Sequence, residues 1–146
     1  VVNYSEWSIP LGRRFRALKL WFLLRGHGMD GLRAMIRNHI AWALKVHDAI
    51  VAMPSMEIVT APMLSLFTFR VVPAGMEGDS AALDALNMEV IEAINNDGRI
   101  YLTQTKIDGK FVIRFQAGTW TMEEQDADTA IAVIAEIAGA MVQAEG

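Results

Sequence analysis

The sequence has 146 residues, of which 53% are hydrophobic and 21% are charged, and its formal net charge at pH 7 is −4. This length fits one ordinary domain, and the acidic balance offers no positive field that would gather phosphates. The chain contains no cysteine, which excludes a disulfide scaffold, a thiolate zinc site and a cysteine nucleophile. The high hydrophobic content predicts apolar surface that something else covers.

The N-terminal third has two helical patterns. After Pro10, apolar residues recur at helical spacing as far as Gly26-His27-Gly28, where a first helix is predicted to end. Asp30 is the predicted N-cap of a second helix, which continues with apolar residues three and four positions apart until Pro54.

Shorter elements follow. Residues 56–60 and 64–72 are rich in β-branched and aromatic residues, which predicts two strands. Asp79 or Ser80 is the predicted N-cap of a third helix, which ends at the Asn-Asn-Asp-Gly run of residues 95–98.

The clearest local signal is a hairpin near the C-terminus. Residues 100–107 and 110–116 are two predicted strands, and the Asp108-Gly109 pair between them supplies the positive φ angles of a type I′ turn. A last helix is predicted near Thr121, which with Glu124 has the spacing of a capping box.

The element order is therefore helix, helix, strand, strand, helix, strand, strand, helix. Strands this few and this close predict an α+β fold, with a small antiparallel or mixed sheet and helices packed on one face.

No metal site is predicted from the three histidines. His39 and His47 are eight residues apart and do not form an i, i+4 pair, and His27 lies between two glycines at a helix end. Packing and capping account for all three. No nucleophile elbow and no phosphate-binding glycine motif is found in the sequence.

The basic residues at 13–16 are interleaved with aromatic residues, a pattern that also occurs in grooves for single-stranded nucleic acid. Helical spacing of the apolar residues favours a different interpretation, a helix whose arginines face the carboxylates of a protein partner. We therefore expect no nucleic-acid partner.

Arg114 stands in an otherwise apolar strand. By alternation Phe111, Ile113 and Phe115 share one face, while Val112 and Arg114 share the other. Arg114 either points to solvent or is a guanidinium fixed on a rigid strand, where it can hold a loop or an anion.

Residues 7–21, WSIPLGRRFRALKLW, resemble the run W-x-I-P-L-[GS]-R-R-F-R-x-[LV]-K-x-W of the group II pyridoxal-phosphate decarboxylases. That family includes the aromatic-L-amino-acid, tyrosine, tryptophan and histidine decarboxylases. The resemblance continues through GLRAMIRNH at 31–39, RIYLT at 99–103 and DGKFVIRF at 108–115. It covers essentially the whole chain in order.

The resemblance implies the C-terminal small domain of a fold-type I enzyme, with residues 1–28 as the end of the large domain and its connecting helix and residues 29–146 as the small domain. The family binds pyridoxal 5′-phosphate through a lysine in an N-[PA]-H-K motif, and no lysine here follows a histidine. The resemblance therefore implies that the missing large domain binds the cofactor, that this chain has no catalytic or cofactor-binding residue, and that alone it is inactive.

Two positions acquire roles from the resemblance. Gly12 matches a residue that lines the substrate pocket, where glycine favours an aromatic amino acid and histidine decarboxylases have serine. Arg114 matches an arginine that resembles a support for the mobile catalytic loop. Arg13 and Arg14 match residues that we interpret as ion pairs at a domain interface.

The expected partners are the large domain of the same protein, a second copy in a homodimer, and an aromatic amino acid substrate. The start has no signal-peptide pattern and no apolar run approaches the roughly 18 residues of a membrane helix, so no membrane partner and a cytoplasmic location are expected. The first residue is not methionine, so we expect a fragment. The alternatives are a non-catalytic α+β interaction or small-molecule-binding module, and a degenerate decarboxylase retained for dimerisation.

Overall fold

The computed structural model describes residues 15–144 of the chain. The elements in chain order are α1 (Ala17–Val51), β1 (Met56–Met63), β2 (Leu66–Val71), α2 (Ser80–Asp97), β3 (Thr103–Ile107), β4 (Lys110–Gln116) and α3 (Glu124–Ala144). The chain divides into two compact units, Val1–Met35 and Ile36–Gly146. The proposed division into the end of a large domain and a small domain stays a prediction.

Within the first unit, α1 carries a backbone break at Gly28. This residue has φ 67° and ψ 168°, a conformation that glycine adopts without the steric cost of a Cβ. The break confirms the predicted separation of two helices at this point, one on each side of Gly28. Asp30 lies in the first turn after the break, where its carboxylate accepts a hydrogen bond from the Arg33 guanidinium.

The four strands form one antiparallel sheet in the order β1-β2-β4-β3. This confirms the α+β layer and selects the antiparallel alternative. The β3–β4 turn has positive φ at both central residues, 50° at Asp108 and 80° at Gly109, so the predicted type I′ turn is confirmed.

The core lies between one face of the sheet and the helices. Alternate residues of the central strands point into it, because successive side chains of a strand face opposite ways. The buried core side chains of β2 and β4 are Phe67, Phe69, Val71, Phe111, Ile113 and Phe115. Those of the helices are Ala43, Val46, Ile50, Leu86, Val90, Ile91, Ile94, Ala127, Ala130, Val133, Ile134 and Ala138.

Helix α2 is bonded to the sheet by amide side chains. Its N-cap is Asp79, whose carboxylate accepts from the Ala82 N–H, one of the two predicted caps. The fully buried Asn87 side chain bonds both the N–H and the carbonyl of Val71, and Asn95 does the same for Leu102. Each side-chain amide therefore makes the two backbone hydrogen bonds that a neighbouring strand would otherwise make with that residue.

The predicted last helix is confirmed, but it starts later than the predicted Thr121 or Met122, and the predicted capping box of Thr121 and Glu124 is wrong. Helix α3 begins at Glu124, and its first turn is capped by Asp126, which accepts from the Glu123 N–H at 2.8 Å. By length and composition α3 could cross a membrane. One of its faces, however, is buried in the core described above, as expected for the core helix of a folded domain.

Candidate functional site

Arg114 lies on the face of the sheet that points away from the core. It is half-buried, and both neighbouring strands place a threonine directly opposite it, Thr68 on β2 and Thr103 on β3. Its guanidinium forms no hydrogen bond or ion pair with any described residue. A fixed but unpaired guanidinium is suited to bind a carboxylate or a carbonyl that comes from elsewhere.

The threonines continue this arrangement across the whole sheet. Thr60 on β1 stands opposite Thr68, and their hydroxyl oxygens are 2.8 Å apart. Thr60, Thr68, Arg114 and Thr103 thus form a row that crosses all four strands, which we call the polar row. Thr68 is buried, so its hydroxyl is held in place beside Arg114.

Arg114 opens onto a shallow cleft of about 360 Å³. The polar row contributes Thr103 to its wall, and Tyr101, Gln116 and Thr119 add further hydrogen-bonding groups. Tyr101 is 78% exposed, so a large ring stands at the edge of the cleft, open to contact. The geometry is that of a docking point for a short segment of polypeptide, because a segment offers both backbone carbonyls and side chains to such groups.

Gly12 lies outside the described residues, as do Arg13 and Arg14. The assignments of these residues to a substrate pocket and a domain interface therefore stay predictions.

The four lysines do not fit the role of the residue that binds pyridoxal phosphate. Lys19, Lys106 and Lys110 are exposed. Lys45 forms ion pairs with Asp128 at 2.7 Å and Glu124 at 3.0 Å, and its hydrogen bond to Asp128 raises its pKa. A lysine held in its charged form by two carboxylates is a poor nucleophile. No step that involves the cofactor is therefore assigned to the described residues.

His39 and His47 pack against aromatic side chains. His39 is buried beside Trp42, and the His47 ring stands edge-on to Phe67 while its Nδ1 lies 2.9 Å from Asp48 Oδ1. Between residues 15 and 144, no group of three or more metal-ligating side chains is found.

Sequence reasoning missed a second arginine on the same face of the sheet. Arg70 of β2 is only 2% exposed, and its Nη2 donates to Asp84 of α2 at 2.8 Å. The signal was present, because Arg70 interrupts an apolar strand just as Arg114 does.

Comparison with known proteins finds one matching family model and several similar relatives. Residues 1–72 match the model of the pyridoxal-dependent decarboxylase conserved domain. The chain is 41% identical over 134 residues to tyrosine decarboxylase 2 of Arabidopsis thaliana. The aligned region covers 92% of this chain and 24% of that relative. It is 38% identical over 136 residues to phenylacetaldehyde synthase of the same plant, covering 93% of this chain and 27% of the relative.

A solved structure shows the same fold. Oryza sativa TDC, crystallised with PLP and tryptamine, superposes with a TM-score of 0.82 at 30% identity, over 97% of this chain and 30% of that one. The chain spans about a quarter of the length of the curated relatives it matches. Sequence and fold together place this chain in the pyridoxal-dependent decarboxylase family.

Proposed function

We propose that the chain is part of a pyridoxal-phosphate-dependent enzyme that converts an aromatic L-amino acid to its amine and CO2. The observation that carries this proposal is the 41% identity to a tyrosine decarboxylase over 92% of the chain. The cofactor is bound by the large domain of the same protein, since the described lysines do not fit that role. The complete enzyme is a cytoplasmic homodimer.

Within this enzyme the chain contributes support and shape. Arg114 and the polar row hold the catalytic loop of the large domain, with the unpaired guanidinium as the anchoring group. Gly12 lines the substrate pocket, where the absence of a side chain leaves room for an aromatic ring. Arg13 and Arg14 form ion pairs at the domain interface.

The test is a product assay on the complete protein that contains this chain. L-Tyrosine and L-tryptophan are supplied with pyridoxal phosphate, and CO2, amine and aldehyde are each measured. We expect amine and CO2 in equal amounts from at least one of the two substrates. Aldehyde in place of amine would overturn the proposed product and indicate chemistry like that of the relative named phenylacetaldehyde synthase. Absence of CO2 from both would overturn the proposal in favour of a non-catalytic module.

A further inference from the structure

A second cleft, of about 530 Å³, lies in the unit formed by residues 36–146, at the start of α2 and away from Arg114. Its walls combine charged side chains with three apolar ones, Met56, Val72 and Leu83. Arg70 lines it as well. We call it the Arg70 cleft.

Arg70 has more hydrogen-bonding capacity than the described residues use. A guanidinium carries five N–H donors. Only the bond from Nη2 to Asp84 is made, and the buried Nε has no partner. Asp84 Oδ1 is shared, because it also accepts from the Phe111 N–H at 2.9 Å. A guanidinium that is 98% buried is costly to leave under-bonded, so a further acceptor stabilises it.

A carboxylate faces Arg70 without pairing with it. Glu57 on β1 is directly opposite Arg70 in the strand register, and such pairs usually have Cβ atoms about 5 Å apart. Within the described part of the chain, Glu57 nevertheless forms no ion pair or hydrogen bond. Both residues line the cleft. Opposite charges thus stand side by side on the wall of the cleft, where Glu57 is half-buried and Arg70 is only 2% exposed.

The other charged groups of the cleft repeat this balance. Lys110 adds a positive charge and Glu77 a negative one. Ser80 begins the 18-residue helix α2, and a helix N-terminus favours a negative group. A cleft with two cations and two carboxylates has no net attraction for phosphate, but it suits a molecule that carries one charge of each sign.

We propose that the Arg70 cleft binds a free amino acid with an apolar side chain. The carboxylate of the ligand accepts hydrogen bonds from Arg70 and is attracted by Lys110. The ammonium group pairs with Glu57, and the side chain packs on Met56 and Leu83. Such a site makes the protein responsive to amino acid concentration.

The test is calorimetric titration of the full 146-residue chain with L-phenylalanine at pH 7. It involves neither cofactor nor turnover, so its outcome is separate from that of the decarboxylase assay. Phenethylamine, which lacks the carboxylate, 3-phenylpropionate, which lacks the ammonium group, and inorganic phosphate serve as comparison ligands. We expect one site for L-phenylalanine and binding at least about tenfold weaker for each comparison ligand, since each loses one charged contact.

Variants locate the site. Glu57→Gln should weaken L-phenylalanine about tenfold and leave 3-phenylpropionate unchanged, because only the ammonium contact is lost. Lys106→Gln is the matched control, an exposed charge on β3 outside the cleft. Arg70→Lys should abolish binding, with its melting temperature measured in parallel. No saturable binding of L-phenylalanine, tighter binding of phosphate, or equal effects of Glu57→Gln and Lys106→Gln would each overturn the proposal.

Discussion

At the scale of single residues, Arg114 is the side chain whose role in the complete enzyme is most open to measurement. Its side chain makes no hydrogen bond or ion pair within the described residues, so its replacement should cost the fold little, while the catalytic loop that we propose it supports would lose its anchor. We expect Arg114→Met to lower kcat by about 10- to 100-fold, in the range that small misplacements of catalytic groups produce, with little change in KM.

The control for this prediction is Lys106→Gln, which removes an exposed charge of the same sheet outside the cleft. Limited proteolysis supplies a readout besides activity, since a released loop is cut faster. Equal effects of the two variants on kcat would contradict this role for Arg114. A large fall in the melting temperature of Arg114→Met would show that Arg114 is needed for the fold instead.

Asn87 shows how much one buried amide can contribute to stability. Its side chain makes three hydrogen bonds, two to Val71 and one to the Leu83 carbonyl. Asn87→Ala leaves the Val71 N–H and carbonyl unpaired, which should lower the free energy of unfolding by about 2–4 kcal/mol. Denaturant unfolding measures this change. Asn96→Ala, an exposed position of the same helix, should stay within about 0.5 kcal/mol. A similar small loss at Asn87 would show that water replaces its bonds.

At the scale of elements, replacing a glycine by alanine is expected to change the stability in opposite directions at two positions. Gly109 has φ 80° in the β3–β4 turn, so Gly109→Ala should destabilise the chain by about 1–2 kcal/mol. Gly139 lies inside α3, where an added Cβ meets nothing within 4 Å, so Gly139→Ala should stabilise it by about 0.5–1 kcal/mol. Thermal melts of the two variants decide this, and shifts of the same sign would contradict the assigned backbone conformations.

The end of α2 carries an ion pair whose effect depends on pH. Arg99 donates to both carboxylate oxygens of Asp97, at 2.6 and 3.0 Å, and this lowers the pKa of Asp97. A carboxylate whose pKa is lower in the folded state adds stability above its unfolded pKa and loses it as the pH falls through the folded value. Asp97→Asn should therefore lower the melting temperature slightly at neutral pH, and the difference from wild type should close in acid. Glu89→Gln, exposed on the same helix, is the control. A gap that persists at low pH would show that the effect is not electrostatic.

The elements differ in how far the sequence could predict them. The β3–β4 hairpin was predictable because the Asp108-Gly109 pair acts locally, and the two ends of α2 because the Asp79 cap and the left-handed Gly98 are also local signals. The start of α3 was not, since Asp126 supplies the cap from inside the first turn where Thr121 was expected to. The break at Gly28 was predictable, because a glycine in a helical pattern adopts the positive φ that interrupts it.

The candidate site could be predicted only in part, for a related reason. Arg114 was singled out because a charge in an apolar strand is visible in the sequence. Its threonine neighbours come from three other strands and depend on register, which a single sequence does not specify. The Arg70–Asp84 pair likewise depends on where α2 crosses the sheet.

At the scale of the whole molecule, the chain has the surface of a protein that packs against something larger. In the described part of the first unit, Phe15, Trp21 and Phe22 are between 53% and 72% exposed. Aromatic side chains exposed together on one short stretch of chain usually mark an interface. The chain spans about a quarter of the length of its relatives, and these exposed rings agree with our proposal that it packs against the rest of a longer protein.

The position of the lysine that binds pyridoxal phosphate is the most direct test of the proposal that this chain does not bind the cofactor. The complete protein is reduced with borohydride in the presence of pyridoxal phosphate and digested, and the labelled peptide is identified by mass spectrometry. We predict a pyridoxyl-lysine upstream of Val1, in an N-[PA]-H-K motif, and no pyridoxyl group on the 146-residue chain treated alone. A label on Lys19, Lys45, Lys106 or Lys110 would contradict it.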